Sequence, residues 1–125
     1  MKKEDLMIGD WVNIQTEKDD EPMYSQVEQL WECEIDADFQ TDYENVHPIK
    51  LTKEILHKNG FDGEVYLWIN AGDEKTLEYY PFEHRLSLWY GEGKNQEILF
   101  KCQCFYVHEF QHALKMCGIE KEIIL

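Results

Sequence analysis

No run of this sequence approaches the ~20 consecutive apolar residues that a membrane-spanning helix needs. The amino terminus, Met1-Lys2-Lys3-Glu4-Asp5-Leu6, turns acidic at once and has no apolar core, so it does not read as a secretory signal. Basic residues are scarce: 12 lysines and arginines face 26 aspartates and glutamates, a net charge of −14. Such a surface repels phosphate backbones and anionic lipid heads, which argues against direct nucleic-acid binding and against a membrane partner. The four cysteines (Cys33, Cys102, Cys104, Cys117) include no C-x-x-C pair, so a zinc ribbon is excluded. They fit reduced thiols of a cytoplasmic protein. Gly91-Glu92-Gly93-Lys94 lacks the spacing and the following Ser or Thr of a phosphate loop. No serine or cysteine stands in a nucleophile elbow, and no Ser/His/Asp order suggests a triad. Internal repeats and low-complexity linkers are also missing.

What remains is a chain of 125 residues, 43% hydrophobic and 14% aromatic, enough apolar material for a packed interior. One compact domain over 1–125 is expected, with a β-rich region over 1–50 and an α+β region over 51–125. The acid excess keeps such a protein soluble. The same field favours a basic protein partner, and it would suit a protein that imitates nucleic acid.

Local patterning predicts an α+β fold. Ile8-Gly9-Asp10 forms a turn into a strand in which Trp11, Asn13 and Gln15 oppose Val12 and Ile14. Glu17-Lys18-Asp19-Asp20-Glu21-Pro22 reads as a charged loop, and Tyr24 to Trp31 as a second strand. Cys33 to Phe39 and Tyr43 to Ile49 carry weaker strand patterns, and together these short segments suit a strongly bent antiparallel sheet or barrel. Thr52 caps a short helix that Asn59-Gly60 ends. Segments 64–70, 75–82, 85–90 and 97–103 then predict a four-stranded antiparallel meander. In a closing helix, steps of 100° gather Val107, Phe110, Ala113, Leu114 and Cys117 on one arc. The helix is expected to pack on one face of the meander, with Val107, Phe110, Leu114, Leu67, Ile69, Leu86, Leu88 and Leu99 in the core. The tail 120–125 is apolar enough to dock or pair.

One motif carries chemistry. His108-Glu109-Phe110-Gln111-His112 matches H-E-x-x-H, which sets two imidazole ligands one helical turn apart around a glutamate that can act as base on a zinc-bound water. In that reading His108 and His112 hold zinc and Glu109 is catalytic. Against it, the helical wheel places both histidines opposite the apolar arc, on the face expected to be solvated, with Lys115 between them. A catalytic zinc also needs a third protein ligand, and Glu120, His84, Cys102 and Cys104 stand at no recognisable spacing. The leading expectation is therefore no cofactor and no metal.

Other constellations read as structure. Cys102 and Cys104 fall on the same side of a strand as small buried hydrophobes. Asp36, Asp38, Asp42 and Glu44 could hold calcium but lack the glycine and terminal glutamate of a helix–loop–helix site. Trp11, Trp31, Trp68 and Trp89 could line a groove, although aromatics alternating on strands usually build a core.

Three stretches carry a resemblance: Ile8-Gly9-Asp10-Trp11-Val12; Pro48-Ile49-Lys50-Leu51-Thr52-Lys53-Glu54-Ile55-Leu56-His57-Lys58-Asn59-Gly60-Phe61; and Tyr106-Val107-His108-Glu109-Phe110-Gln111-His112-Ala113-Leu114. In this order the chain resembles a family of small uncharacterised proteins common in Bacteroides-type gut bacteria and often carried by prophages and other mobile elements. The resemblance spans nearly the whole chain and implies a setting without a mechanism. It implies an SH3-like small barrel for the amino-terminal strands. It also implies that Glu109 and His112 are this chain's own variation on a structural helix. The expected function is a non-enzymatic accessory or protein-interaction role. A zinc-dependent hydrolase and an acidic mimic of nucleic acid stand as alternatives.

Overall fold

Short strands bounded by turn residues dominate the first fifty residues, and the computed structural model, which describes residues 1–17 and 21–125, arranges them in two small sheets. Lys18, Asp19 and Asp20 of the predicted charged loop lie outside the described residues. The chain falls into two compact units, Met1–Lys50 with Tyr106–His108, and Leu51–Phe105 with Glu109–Leu125. The first boundary is the point at which helical character enters the sequence. The described residues are mixed α+β, mostly antiparallel strands in three sheets with two α-helices.

In the first unit, β1 (Trp11–Ile14) pairs with β2 (Met23–Gln26) and with β6 (Val46–His47). β3 (Gln29–Leu30), β4 (Glu34–Asp36) and β5 (Gln40–Asp42) form the second sheet. The alternation read in β1 holds, with Val12 and Ile14 buried. They join Leu6, Val27, Ile35, Ala37 and Val46 in one apolar cluster.

The segment expected to be one strand from Tyr24 to Trp31 is two. The Val27 amide donates to the Asp10 carbonyl (2.9 Å), toward β1, whereas the Glu28 amide donates to the Asp36 carbonyl (2.8 Å), toward β4. The chain thus leaves one sheet and enters the other within a single peptide step. Its alternation breaks there, because Ser25 and Val27 are buried while Gln29 and Trp31 are exposed. Cys33 to Phe39 contributes only β4. Tyr43 to Ile49 begins as a 3-10 turn (Tyr43–Asn45) before β6. Strand β5 was not anticipated: three residues, Gln40-Thr41-Asp42, carry too little pattern to announce a strand. Among the described residues the two sheets are not hydrogen-bonded into a closed barrel.

The second unit opens with α1 (Lys53–Lys58), whose cap Thr52 accepts a hydrogen bond from the Ile55 amide (3.2 Å). Gly60, at φ +95°, supplies the left-handed residue that ends it. The buried Asn59 side chain donates to the Ile124 carbonyl (2.7 Å) and accepts from the Ile124 amide (2.8 Å). That clamp docks the apolar tail, whose Ile123 is buried.

The meander is β7 (Leu67–Gly72), β8 (Lys75–Tyr80), β9 (Arg85–Tyr90) and β10 (Glu97–Gln103), in the spatial order β10-β9-β8-β7. Register aligns Leu67 with Tyr79 and Tyr79 with Leu86, and likewise Ile69 with Leu77 and Leu77 with Leu88. These residues share one face, and all but Ile69, which is half-buried, are buried. Helix α2 (Val107–Met116) buries Val107, Phe110, Ala113 and Leu114 of the predicted stripe, while Cys117, its fifth member, lies past the end of the helix and is half-buried. Within the second unit Phe110 meets Phe61 edge-on at 5.9 Å between ring centres.

Leu99 departs from expectation. A register shift between Ile98 and Phe100 places an extra residue there, and Leu99 is 49% exposed instead of buried. No described helix is long and apolar enough to cross a membrane.

Candidate functional site

Helix α2 carries the H-E-x-x-H residues. The wheel placed both histidines on a wet face; that placement fails for His108, which is only 7% exposed. Its ring lies nearly parallel to Tyr106, 12° between planes and 5.9 Å between centres. The apolar arc therefore does not mark the full extent of the buried helix surface. His112 is half-buried. Glu109, the residue that would serve as base, turns back along its own helix: its Oε1 accepts from the Phe105 amide at 2.9 Å. Glu109 is the third residue of the helix, and its carboxylate thereby satisfies an amide that lies just upstream of the N-cap position, one residue further back than in a capping box. Among the described residues no group of three or more His, Cys, Asp or Glu side chains is placed to hold a metal ion.

Behind Glu109 lies a thiol pair that strand parity foresaw. Cys102 Sγ and Cys104 Sγ are 3.6 Å apart, and Tyr79 donates its hydroxyl to the Cys104 carbonyl at 2.8 Å. Burial, then the neighbouring Cys102 and Glu109, pushes the Cys104 thiol well above the ordinary thiol range. Burial also raises Cys102 and Cys117. A thiol that resists ionisation is a poorer nucleophile than an ordinary cysteine.

The remaining sequence candidates separate. Asp36 Oδ2 accepts from Trp31 Nε1 (3.1 Å) and Asp38 Oδ2 from Ser25 Oγ (2.8 Å), so two members of the acidic cluster each bond a different neighbour. Trp11 and Trp31 belong to the first unit, Trp68 and Trp89 to the second. His84 stacks on Phe105, 4.6 Å between ring centres.

A concave feature of the first unit was not anticipated. Gln15, Thr16, Glu17, Glu44, Asn45 and His47 line a polar cleft of about 370 Å³. The end of β1, the Tyr43–Asn45 turn and β6 converge on it: the Gln15 amide donates to the Asn45 carbonyl (2.9 Å), and His47 Nε2 sits 3.3 Å from the Gln15 carbonyl. Two carboxylates, an imidazole and amide groups suit a cationic, hydrogen-bonding guest. No sequence motif marks these residues, which come together from separate segments through strand pairing. The only hint was the local wealth of acid.

No protein-family model, curated protein or solved structure matches the chain.

Proposed function

We propose that this chain is a non-enzymatic accessory protein that binds a basic protein partner. One observation carries the reading: 26 acidic residues against 12 basic ones leave at least 14 carboxylates that no basic side chain of the chain can neutralise. Two of the acids, Glu17 and Glu44, flank the cleft of the first unit. Complementary charge of this kind speeds encounter and selects the sign of the partner. The reduced thiols agree with a cytoplasmic location, and the sequence resemblance suggests a prophage or another mobile element as the setting. The passage of the chain from one small sheet to the other between β2 and β3, at Val27 and Glu28, supports reading the first unit as an opened SH3-like barrel.

The test is a pull-down from host extract with the wild-type chain and with Glu17→Lys/Glu44→Lys. A basic protein is expected that is retained at low salt, is released as salt rises, and is held less well by the variant. Repeated recovery of no partner, or of one held equally by both chains at every salt concentration, would sink the reading. Stoichiometric zinc in protein purified without a histidine tag would instead favour the hydrolase.

A further inference from the structure

We infer that the outer face of the β7–β10 sheet docks an arginine-bearing segment of the basic partner. The face opposite the buried leucines is set by register. Trp68 lies across from Glu78, Glu78 from Ser87 and Ser87 from Lys101; Tyr80 lies across from Arg85, and Thr76 from Trp89. Parity adds Tyr66 beside Trp68, and Tyr66 stacks on Tyr80 at 5.5 Å with 19° between the rings. Trp68 and Tyr66 remain 41% and 42% exposed.

Charge on this face is unlike that of the chain as a whole. Acidic residues make up 26 of 125 positions, yet the paired strands direct only Glu78 to this side, together with Arg85 and Lys101. One more acid, Asp62, is bridged to Trp68 and stands beside it on this face, whereas Glu64, Asp73, Glu74, Glu83 and Glu92 lie in the exposed segments at the sheet ends. The open part of this face is its β7 side, where Trp68 and Tyr66 stand exposed, whereas Ser87 on β9 is buried; exposed Trp and Tyr are the side chains that carry most of the affinity of protein-binding surfaces.

The chain itself shows what these rings accept. Arg85, its one arginine, places its guanidinium carbon 4.6 Å from the Tyr80 ring centre while pairing with Glu83 at 2.8 Å. A ring below and a carboxylate beside make a guanidinium seat. Trp68 facing Glu78 repeats that combination, and no second arginine exists in the chain to fill it. A second copy is a poor occupant, since each brings a charge of −14 and an arginine already engaged. A phosphate backbone would meet the acidic rim.

The inference rests on the basic-partner reading and adds to it a surface and a side chain. Two synthetic peptides of equal charge, alternating arginine–serine and alternating lysine–serine, are titrated while tryptophan fluorescence is followed, with oligo-thymidine as a third probe. The arginine peptide is expected to bind several-fold tighter than the lysine peptide. Trp68→Ala should weaken it about tenfold, Glu78→Gln should weaken it less, and Trp31→Ala, in the first unit, should leave it near wild type. Glu78→Gln, which keeps the shape of the side chain, carries the test should the alanine variant fail to fold. Equal binding of both peptides, untouched by Trp68→Ala, overturns the docking face and leaves the charge reading standing. Binding of neither peptide overturns both. Oligo-thymidine binding that depends on Trp68 makes the face a base-stacking platform, and the inference falls.

Discussion

Two tyrosines should make this protein fail in strong base. Tyr79 is buried, and burial, then Cys104 and Glu109, pushes its phenol up to about 12. Tyr80 reaches about 12 chiefly because it donates to Glu78 Oε2 at 2.7 Å, with burial second. A raised phenol pKa means that the fold favours the neutral form. The resulting stability is fully present below about pH 10, where the unfolded phenol is still protonated, and drains away as pH climbs through about 12. Tyrosinate absorbance followed against pH should show these two ionising last, together with loss of the native circular dichroism. If every tyrosine ionises at its ordinary value while the fold survives, the environments described for Tyr79 and Tyr80 are wrong. None of this is visible in sequence, where Tyr79 and Tyr80 are adjacent and alike. Strand pleat sends them to opposite faces, one to the core and one to the aromatic surface.

Among the elements, α2 depends on Phe110. It is 1% exposed and sits edge-on to Phe61, so Phe110→Ala leaves a ring-sized void and should cost about 3–5 kcal/mol. Urea unfolding measures it, with the well-exposed Val65→Ala as the comparison expected to change stability by less than about 0.5 kcal/mol. A Phe110→Ala midpoint equal to wild type would place the helix stripe elsewhere. This stripe was legible because ten residues span nearly three turns, long enough for a period to declare itself. The meander strands β9 and β10 were legible to the residue for a related reason: six- and seven-residue strands stand between clear turn signals. The first unit was legible only in outline. Its strands run two to four residues, shorter than the pattern needed to tell strand from turn, and a change of sheet at Val27 resets the alternation midway. Leu99 misled because a bulge inserts a residue without leaving a mark in composition. His108 misled because a wheel predicts where apolar side chains go and is silent about polar ones that are also covered.

For the molecule as a whole, the governing quantity is a charge of −14 on 125 residues. Such a surface repels itself, and added salt shortens the reach of that repulsion to roughly 10 Å at 0.1 M. Melting temperature should therefore rise as sodium chloride is raised from low concentration, by a few degrees if the relief amounts to about 1 kcal/mol. Calorimetry across a salt series checks it, and a melting temperature that falls with salt would mean that favourable ion pairing outweighs the repulsion. The cleft at Glu17, Glu44 and His47 belongs to this scale too. It exists only once segments some thirty residues apart have paired, so no reading of neighbours along the chain could have found it.

The single peptide step from Val27 to Glu28 has a mechanical consequence. A tear begun along β1 and β2 reaches the partner of β4 at the very next amide, and one begun at β4 runs back the same way. Opening of either sheet pulls at once on the other, so the amides of β1 and of β4 are expected to exchange their hydrogens at similar rates, and a β4 that exchanges far faster than β1 would show the two letting go separately.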